Sequence, residues 1–210
     1  MEILQEISSF LQAGRAPKVK ELVVKALDEG VPPKAVLEDG LLHGMGIIGE
    51  KFKKNEIFVP EVLIAARAMN AGITLLKPHL IEAGVKARGK AVIGTVKGDL
   101  HDIGKNIVKM MLEGKGLEVI DLGVDVPSET FYTAAMENGA KIVCCSALLT
   151  TTMGEMRDIV KLFEEKGGRG DVKIMVGGAP VTQSFCDSIS ADCYTADAAS
   201  AADAALAFCS

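Results

Sequence analysis

The chain lacks any long basic block, and its formal net charge is −5. Both features argue against nucleic acid as the main partner. A secretory leader is missing too: Met1 is followed by Glu2, Gln5 and Glu6, not by a basic stretch and then an apolar one. No run reads as long and apolar enough to span a membrane, so a cytoplasmic protein with no membrane partner is expected. The five cysteines (Cys144, Cys145, Cys186, Cys193 and Cys209) are odd in number and irregularly spaced. That excludes a regular disulfide framework and implies reduced thiols. There is no internal repeat, and no low-complexity segment apart from an alanine-rich C-terminus. Zinc-ligand constellations and nucleophile–base pairs are also missing, which leaves no site for activating a substrate covalently. What remains is an ordinary globular composition, 49% hydrophobic and 24% charged over 210 residues, enough for one large domain or two small ones.

The apolar pattern changes character near residue 88. Before it the spacing is helical. Leu4, Ile7 and Leu11 mark a first helix; Val19, Leu22, Val23 and Ala26 a second, ended by Gly30. Pro32-Pro33 suit a helix start. Leu41, Met45, Ile48 and Phe52 mark a third helix, and Val62, Met69, Ile73, Leu76 and Leu80 a fourth. Short connections between four helices predict an antiparallel bundle over residues 1–88. Residues 85–90 read as a linker. From 89 to 210 short apolar runs alternate with helical stretches. Strands are expected at 91–96, 117–122, 142–148, 172–176 and 192–194. Helices are expected at 104–112, 128–138, 153–165 and 181–188, and in the alanine-rich tail. This alternation implies an α/β domain with a five-stranded parallel sheet covered on both faces, in the flavodoxin-like (Rossmann-type) order 2-1-3-4-5.

In such a sheet a ligand sits at the carboxyl ends of the strands where the order reverses, here between the first and third strands. The loop after the first strand is Lys97-Gly98-Asp99-Leu100-His101-Asp102-Ile103-Gly104. The loop after the third carries Leu148 to Thr152, and that after the fourth Gly177-Gly178-Ala179-Pro180. His101 is one of three histidines, and Asp99 stands two residues before it. A carboxylate in that place can fix a ligand histidine's tautomer and raise its basicity, although the tripeptide alone fits a surface-loop histidine with a chance acidic neighbour better. His43 and His79 fall within helical patterns and read as structural or solvent-facing.

The motifs lie in one register. Asp99-x-His101-x-x-Gly104 is followed after 41 residues by Ser146-x-Leu148, and 28 residues further on by Gly177-Gly178. This resembles the cobalamin-binding signature of the B12-dependent methyltransferase and mutase superfamily. The first half is similar to the helical cap of methionine synthase-type B12 modules, notably in Gly44-Met45-Gly46 and Phe58-Val59-Pro60. The stretches from Leu149 to Met153 and from Met175 to Gln183 are similar to the small corrinoid proteins of anaerobic methyl transfer, which serve methylamines, methanol, betaines or methoxylated aromatics.

The resemblance implies a cobalamin or related corrinoid bound base-off, with His101 as the lower ligand of cobalt. Asp99 and Thr152 would complete a relay behind it. Gly98, Leu100, Asp102, Ile103 and Gly104 would form the cofactor loop. Ser146, Leu148, Thr150, Gly177, Gly178 and Ala198 would line the pocket of the displaced nucleotide tail. In the cap, Phe52 and Val59 would shield the upper face, with Glu38 and Met45 as neighbours; at helical spacing Phe52, Met45 and Val59 also read as bundle core. Lys51, Lys53 and Lys54 form a basic cluster at a helix end, solvated or docking an acidic partner. Cys144 and Cys145 read as packing residues of a buried strand. The implied function is that of a methyl carrier, not a complete enzyme. Co(I) takes a methyl group from a donor-specific methyltransferase, and methyl-Co(III) yields it to a second one of tetrahydrofolate or coenzyme M type. A reductive activase would be a further partner. The alternatives are a B12-dependent regulator, for which no upstream basic helix-turn-helix is seen, an adenosylcobalamin isomerase subunit, and a flavodoxin-like domain with no cobalt.

Overall fold

The computed structural model describes residues 2–209. The chain divides into two compact units, residues 1–87 with 114–116, and residues 88–113 with 117–210.

The first unit is helical: α1 (Glu2–Gln12), α2 (Ala16–Asp28), α3 (Pro33–Ala35), a π-helical segment (Val36–Leu42), α4 (His43–Lys53) and α5 (Val59–Glu82). Leu4, Ile7 and Leu11 of α1 turn inward with Val19, Leu22, Val23 and Ala26 of α2, as an apolar stripe at helical spacing requires. Gly30, at φ +78°, ends the second helical run in the left-handed conformation that glycine adopts without strain. The third helical run differs from expectation. It starts at Pro33, as Pro32-Pro33 suggested, but carries one stretch of wider turns before α4, a feature that side-chain periodicity does not report. At the head of α5 the Glu61 carboxylate accepts the Phe58 N–H at 3.2 Å, tying off a free donor. Contrary to the expectation that no run could span a membrane, α5 is long and apolar enough to cross one by length and composition. Its inner face (Val62, Ala65, Ala66, Met69 and Leu76) is buried within the bundle.

The second unit holds β1 (Gly89–Thr95), β2 (Leu117–Asp121), β3 (Ile142–Ser146), β4 (Lys173–Gly177) and β5 (Cys193–Tyr194). Between and after them lie α6 (Ile103–Gly114), α7 (Ser128–Asn138), α8 (Met153–Glu165), α9 (Gln183–Ser188) and α10 (Ala198–Ala207). The strands are parallel in the order β2-β1-β3-β4-β5. Val92, Val143, Ile174 and Val176 are buried with Phe131, Met156, Ile159 and Phe163 of α7 and α8. Several bounds shift from expectation. β1 starts at Gly89, inside the stretch read as a linker, because Gly89 and Lys90 pair with Leu117 and Glu118. β3 stops at Ser146 rather than Leu148, for a reason that lies in the site. All five cysteines are free. Cys144 and Cys145 are buried in β3, and burial pushes the Cys144 thiol up to about 12, so it stays neutral.

Candidate cofactor site

Three strands end on one row. Thr95 pairs with Ser146, and Ser146 with Gly177. The ladder continues just past that row, with the Val96 N–H donating to the Ser146 carbonyl at 2.9 Å and the Ala147 N–H to the Gly177 carbonyl at 3.1 Å. The loops that leave this row carry Gly98 to Gly104, Leu148 to Thr152, and Gly177-Gly178.

Asp99 organises them. Its side chain is 0% exposed, and its two oxygens meet five donor groups. Oδ1 accepts the His101 N–H at 3.1 Å and lies 2.7 Å from His101 Nδ1. Oδ2 accepts the N–H groups of Leu148 at 2.7 Å and Leu149 at 3.2 Å, and lies 2.9 Å from Thr152 Oγ1. The Thr152 hydroxyl is equally close, 2.9 Å, to the Leu149 carbonyl, and its single proton serves one acceptor at a time. The capture of the Leu148 and Leu149 N–H groups explains why β3 ends early: they point at a carboxylate and are lost to the sheet. Burial alone would raise the Asp99 pKa. The hydrogen bonds from the His101 ring, the His101 and Leu148 backbone and the Thr152 hydroxyl outweigh it and hold the carboxyl well below the usual carboxylate range.

An ionised carboxylate only accepts hydrogen bonds, so the proton between it and the imidazole belongs to Nδ1. That fixes the tautomer and leaves the Nε2 lone pair free to bind a metal. The His101 side chain is 51% exposed. Around it stand apolar residues that a globular fold would normally bury: Leu100 at 71% exposure, Ile103 at 74%, and Leu148 and Leu149 above two fifths. Among the described residues no three His, Cys, Asp or Glu side chains converge. One histidine cannot retain a bare ion, but it can supply one axial ligand to an ion already held in a macrocycle. The exposed leucines and isoleucine suit the flank of such a ring.

The glycines separate into two kinds. At Gly104 and Gly177 an added Cβ meets nothing within 4 Å, and neither residue is left-handed. Neither conformation nor internal packing calls for glycine there, and the open space fits a bulky group lying over the sheet edge. Gly178 is different. Its φ is +136° and a Cβ would lie 1.8 Å from the Ala147 carbonyl oxygen, so the chain itself requires glycine.

The remaining expected residues are distributed as follows. Asp102 is exposed at the head of α6, where its Oδ2 accepts the Asn106 amide at 3.1 Å. Ser146 is half-buried and Thr150 exposed at the same sheet edge. Ala198 is buried as the first residue of α10, after β5, where Asp197 caps the helix through the Ser200 N–H at 2.8 Å. The other four belong to the helical unit. Met45 is buried in α4, while Glu38, Phe52 and Val59 are half-buried in the π-helical segment, α4 and α5.

Sequence reasoning missed three residues of the site. Thr95 is fully buried, and its hydroxyl donates to the His101 carbonyl at 2.8 Å. Lys105 is buried in α6 and donates to Asp121 Oδ1 at 2.7 Å and Asn106 Oδ1 at 2.8 Å, clamping the helix to the end of β2. Asp125 contacts the loop from the β2 side. A threonine in a strand, a lysine in an amphipathic helix and an aspartate in a turn carry no local mark of these partners.

The B12 binding domain family matches residues 89–208, and a second B12 binding domain family matches residues 3–77. Over 199 residues the chain is 45% identical to dimethylamine corrinoid protein 3 of Methanosarcina acetivorans, covering 95% of this chain and 93% of that one. It is 48% identical over 176 residues to trimethylamine corrinoid protein 1 of Methanosarcina mazei, covering 83% and 82%. Among solved structures it resembles a chain of the methanol:cobalamin methyltransferase complex of Methanosarcina barkeri, with a TM-score of 0.88 and 32% identity over 98% of this chain and 80% of that one.

Proposed function

Because the chain belongs to the B12-binding corrinoid proteins, we propose that it is a methyl carrier whose cofactor is held base-off through His101 Nε2. The observation that supports this most is the buried Asp99 carboxylate 2.7 Å from His101 Nδ1, which leaves the opposite ring nitrogen as the ligand atom. When bound, the corrinoid supplies a cobalt that accepts a methyl group from one methyltransferase and yields it to another.

The chain's own residues then bind, orient and cover. Asp99 holds the imidazole in the ligating tautomer, and Thr152, with the Leu148 and Leu149 N–H groups, holds Asp99. Leu100 and Ile103 flank the ring from the histidine loop. Ser146, Thr150, Gly177 and Gly178, with Ala198 at the far end, receive the displaced nucleotide tail, the open space beside Gly177 being the supporting feature. Gly98, at φ +80°, turns the chain so that Asp99 goes inward while His101 faces out. Residues 1–88 would serve as the cap for the upper face, with Phe52 and Val59 as its shield and Glu38 and Met45 as neighbours. The carrier works in the cytoplasm with its thiols reduced. Its partners are a donor-specific methyltransferase, an acceptor methyltransferase and a reductive activase.

The test is reconstitution. The protein is loaded with hydroxocobalamin, reduced, and mixed with methyltransferases encoded beside it, then offered dimethylamine, trimethylamine, monomethylamine or methanol. One donor should drive the corrinoid spectrum through repeated methylation and demethylation. A loaded protein that no donor and partner can turn over would overturn the carrier reading.

A further inference from the structure

The geometry points to Asp125 as a positioning residue that sets the direction of the Asp99 carboxylate, and through it the tautomer of His101. Asp125 follows β2 and is far in sequence from the histidine loop, yet it grips that loop at two points. Its Oδ1 accepts the Gly98 N–H at 2.7 Å, and its own N–H donates to the Asp99 carbonyl at 2.9 Å. The two-residue segment Gly98-Asp99 is thus held by one residue at both ends, through the N–H that enters it and the carbonyl that leaves it.

The backbone conformation of Asp125 singles out its side chain. Its φ is +53°, in the left-handed region where non-glycine residues are uncommon. Glycine would adopt that conformation without strain and would still present the N–H that Asp99 accepts. The one thing aspartate adds is the carboxylate that takes the Gly98 N–H. Gly98 is itself left-handed, and is the point where the chain turns to send Asp99 inward. Freed from Oδ1, that turn loses one of its tethers, and the Asp99 carboxylate, on the next residue, is set less firmly toward the Leu148, Leu149 and Thr152 donors that it accepts from.

Three substitutions separate this role from a structural one. Asp125→Asn keeps an oxygen acceptor and tolerates the left-handed conformation. Asp125→Gly keeps the conformation and the backbone N–H but removes the acceptor. Asp125→Ala removes the acceptor and retains the strain. The first readout uses cofactor-free protein and does not depend on His101 being a metal ligand: the ring-nitrogen chemical shifts of His101 by ¹⁵N NMR. Wild type and Asp125→Asn should show one tautomer with the proton on Nδ1. Asp125→Gly should show a mixture, the tautomer ratio moving about five-fold, as expected for loss of one hydrogen bond. The second readout rests on the carrier reading: in hydroxocobalamin-loaded protein, the ratio of His101-ligated to unligated cobalt should fall about five-fold in Asp125→Gly. Thermal stability of Asp125→Gly should equal or exceed that of Asp125→Ala, because glycine relieves the strain. His101 ligation should be equally weak in both, which no purely structural role produces. A wild-type tautomer in Asp125→Gly would overturn the proposal, as would loss of the tautomer in Asp125→Asn to the same extent as in Asp125→Gly. If the tautomer shifts while ligation does not, the brace stands and the ligand assignment of His101 fails.

Discussion

Replacing Asp99 by asparagine changes one oxygen into an NH2 group, and the structure makes either placement of that group unfavourable. If it takes the Oδ2 position, it faces the N–H groups of Leu148 and Leu149, and two donors are left opposite a third. If it takes the Oδ1 position, the His101 N–H loses its acceptor. The imidazole can still adapt, by moving its proton to Nε2 so that Nδ1 accepts from the amide. That second arrangement leaves fewer donors unpaired and should dominate. It puts the proton on the nitrogen that would bind cobalt. An unsatisfied buried donor costs about 1–3 kcal/mol, and a hydrogen bond to a charged group contributes about 1.5–3 kcal/mol. The substitution should therefore destabilise the sheet unit by about 3 kcal/mol at neutral pH, a fall of about 1–3 M in the urea midpoint. The difference has a definite pH dependence. The Asp99 pKa is depressed in the folded protein, so its contribution is complete above the unfolded carboxyl pKa of about 3.9 and is lost as pH falls below it. The gap between wild type and variant should be constant from about pH 5 upward and close in acid. Urea titrations at several pH values measure the gap, and ¹⁵N NMR of the cofactor-free protein reads the tautomer. A variant of unchanged stability with its proton still on Nδ1 would refute the reasoning.

Other perturbations should give smaller or sharper effects. Thr152→Ala removes one of the groups that hold Asp99 and should cost about 1 kcal/mol, while Thr152→Ser should stay near wild type in the same urea titration. Gly178→Ala forces a Cβ against the Ala147 carbonyl and should cost about 4 kcal/mol or more, or abolish soluble folded protein. Gly177→Ala, with open space at its Cβ, should leave cofactor-free stability within about 0.5 kcal/mol of wild type and weaken corrinoid binding, measured by equilibrium dialysis. A fragment starting at Gly89 holds every strand of the sheet. It should fold, retain corrinoid and lose the methyl group to light faster than the whole chain; equal photolysis rates would remove the cap role from residues 1–88.

The elements that repeat with a period were legible in the sequence. Leu4, Ile7 and Leu11, or the run from Ile142 to Cys145, carry their own periodicity, and the strand–helix alternation implied the 2-1-3-4-5 order. Asp99 and His101 were legible because a spaced motif singled them out. The π-helical segment was not, because its widened turns hardly disturb the spacing of Leu41 and Met45. The early end of β3 was not, because an aspartate 49 residues away captures the Leu148 N–H. For the same reason Thr95, Lys105 and Asp125 escaped notice: each acts through hydrogen bonds to His101, Asp121 and the Gly98–Asp99 turn respectively, partners that the folded chain brings near. Gly178 and Gly177 look alike in sequence, and only the position of the Ala147 carbonyl separates a glycine required by the backbone from one that leaves open space.

The ligand role of His101 is tested most directly by electron paramagnetic resonance of the loaded protein in its Co(II) state, prepared once with natural-abundance histidine and once with ¹⁵N-histidine. A lower ligand nitrogen splits each cobalt line, into three for ¹⁴N and into two for ¹⁵N. If His101 is that ligand, the triplets become doublets on labelling, and both patterns vanish in His101→Ala while the corrinoid stays bound. Triplets that persist in the ¹⁵N-histidine protein would mean that the cofactor's own base holds the cobalt, contradicting the base-off assignment.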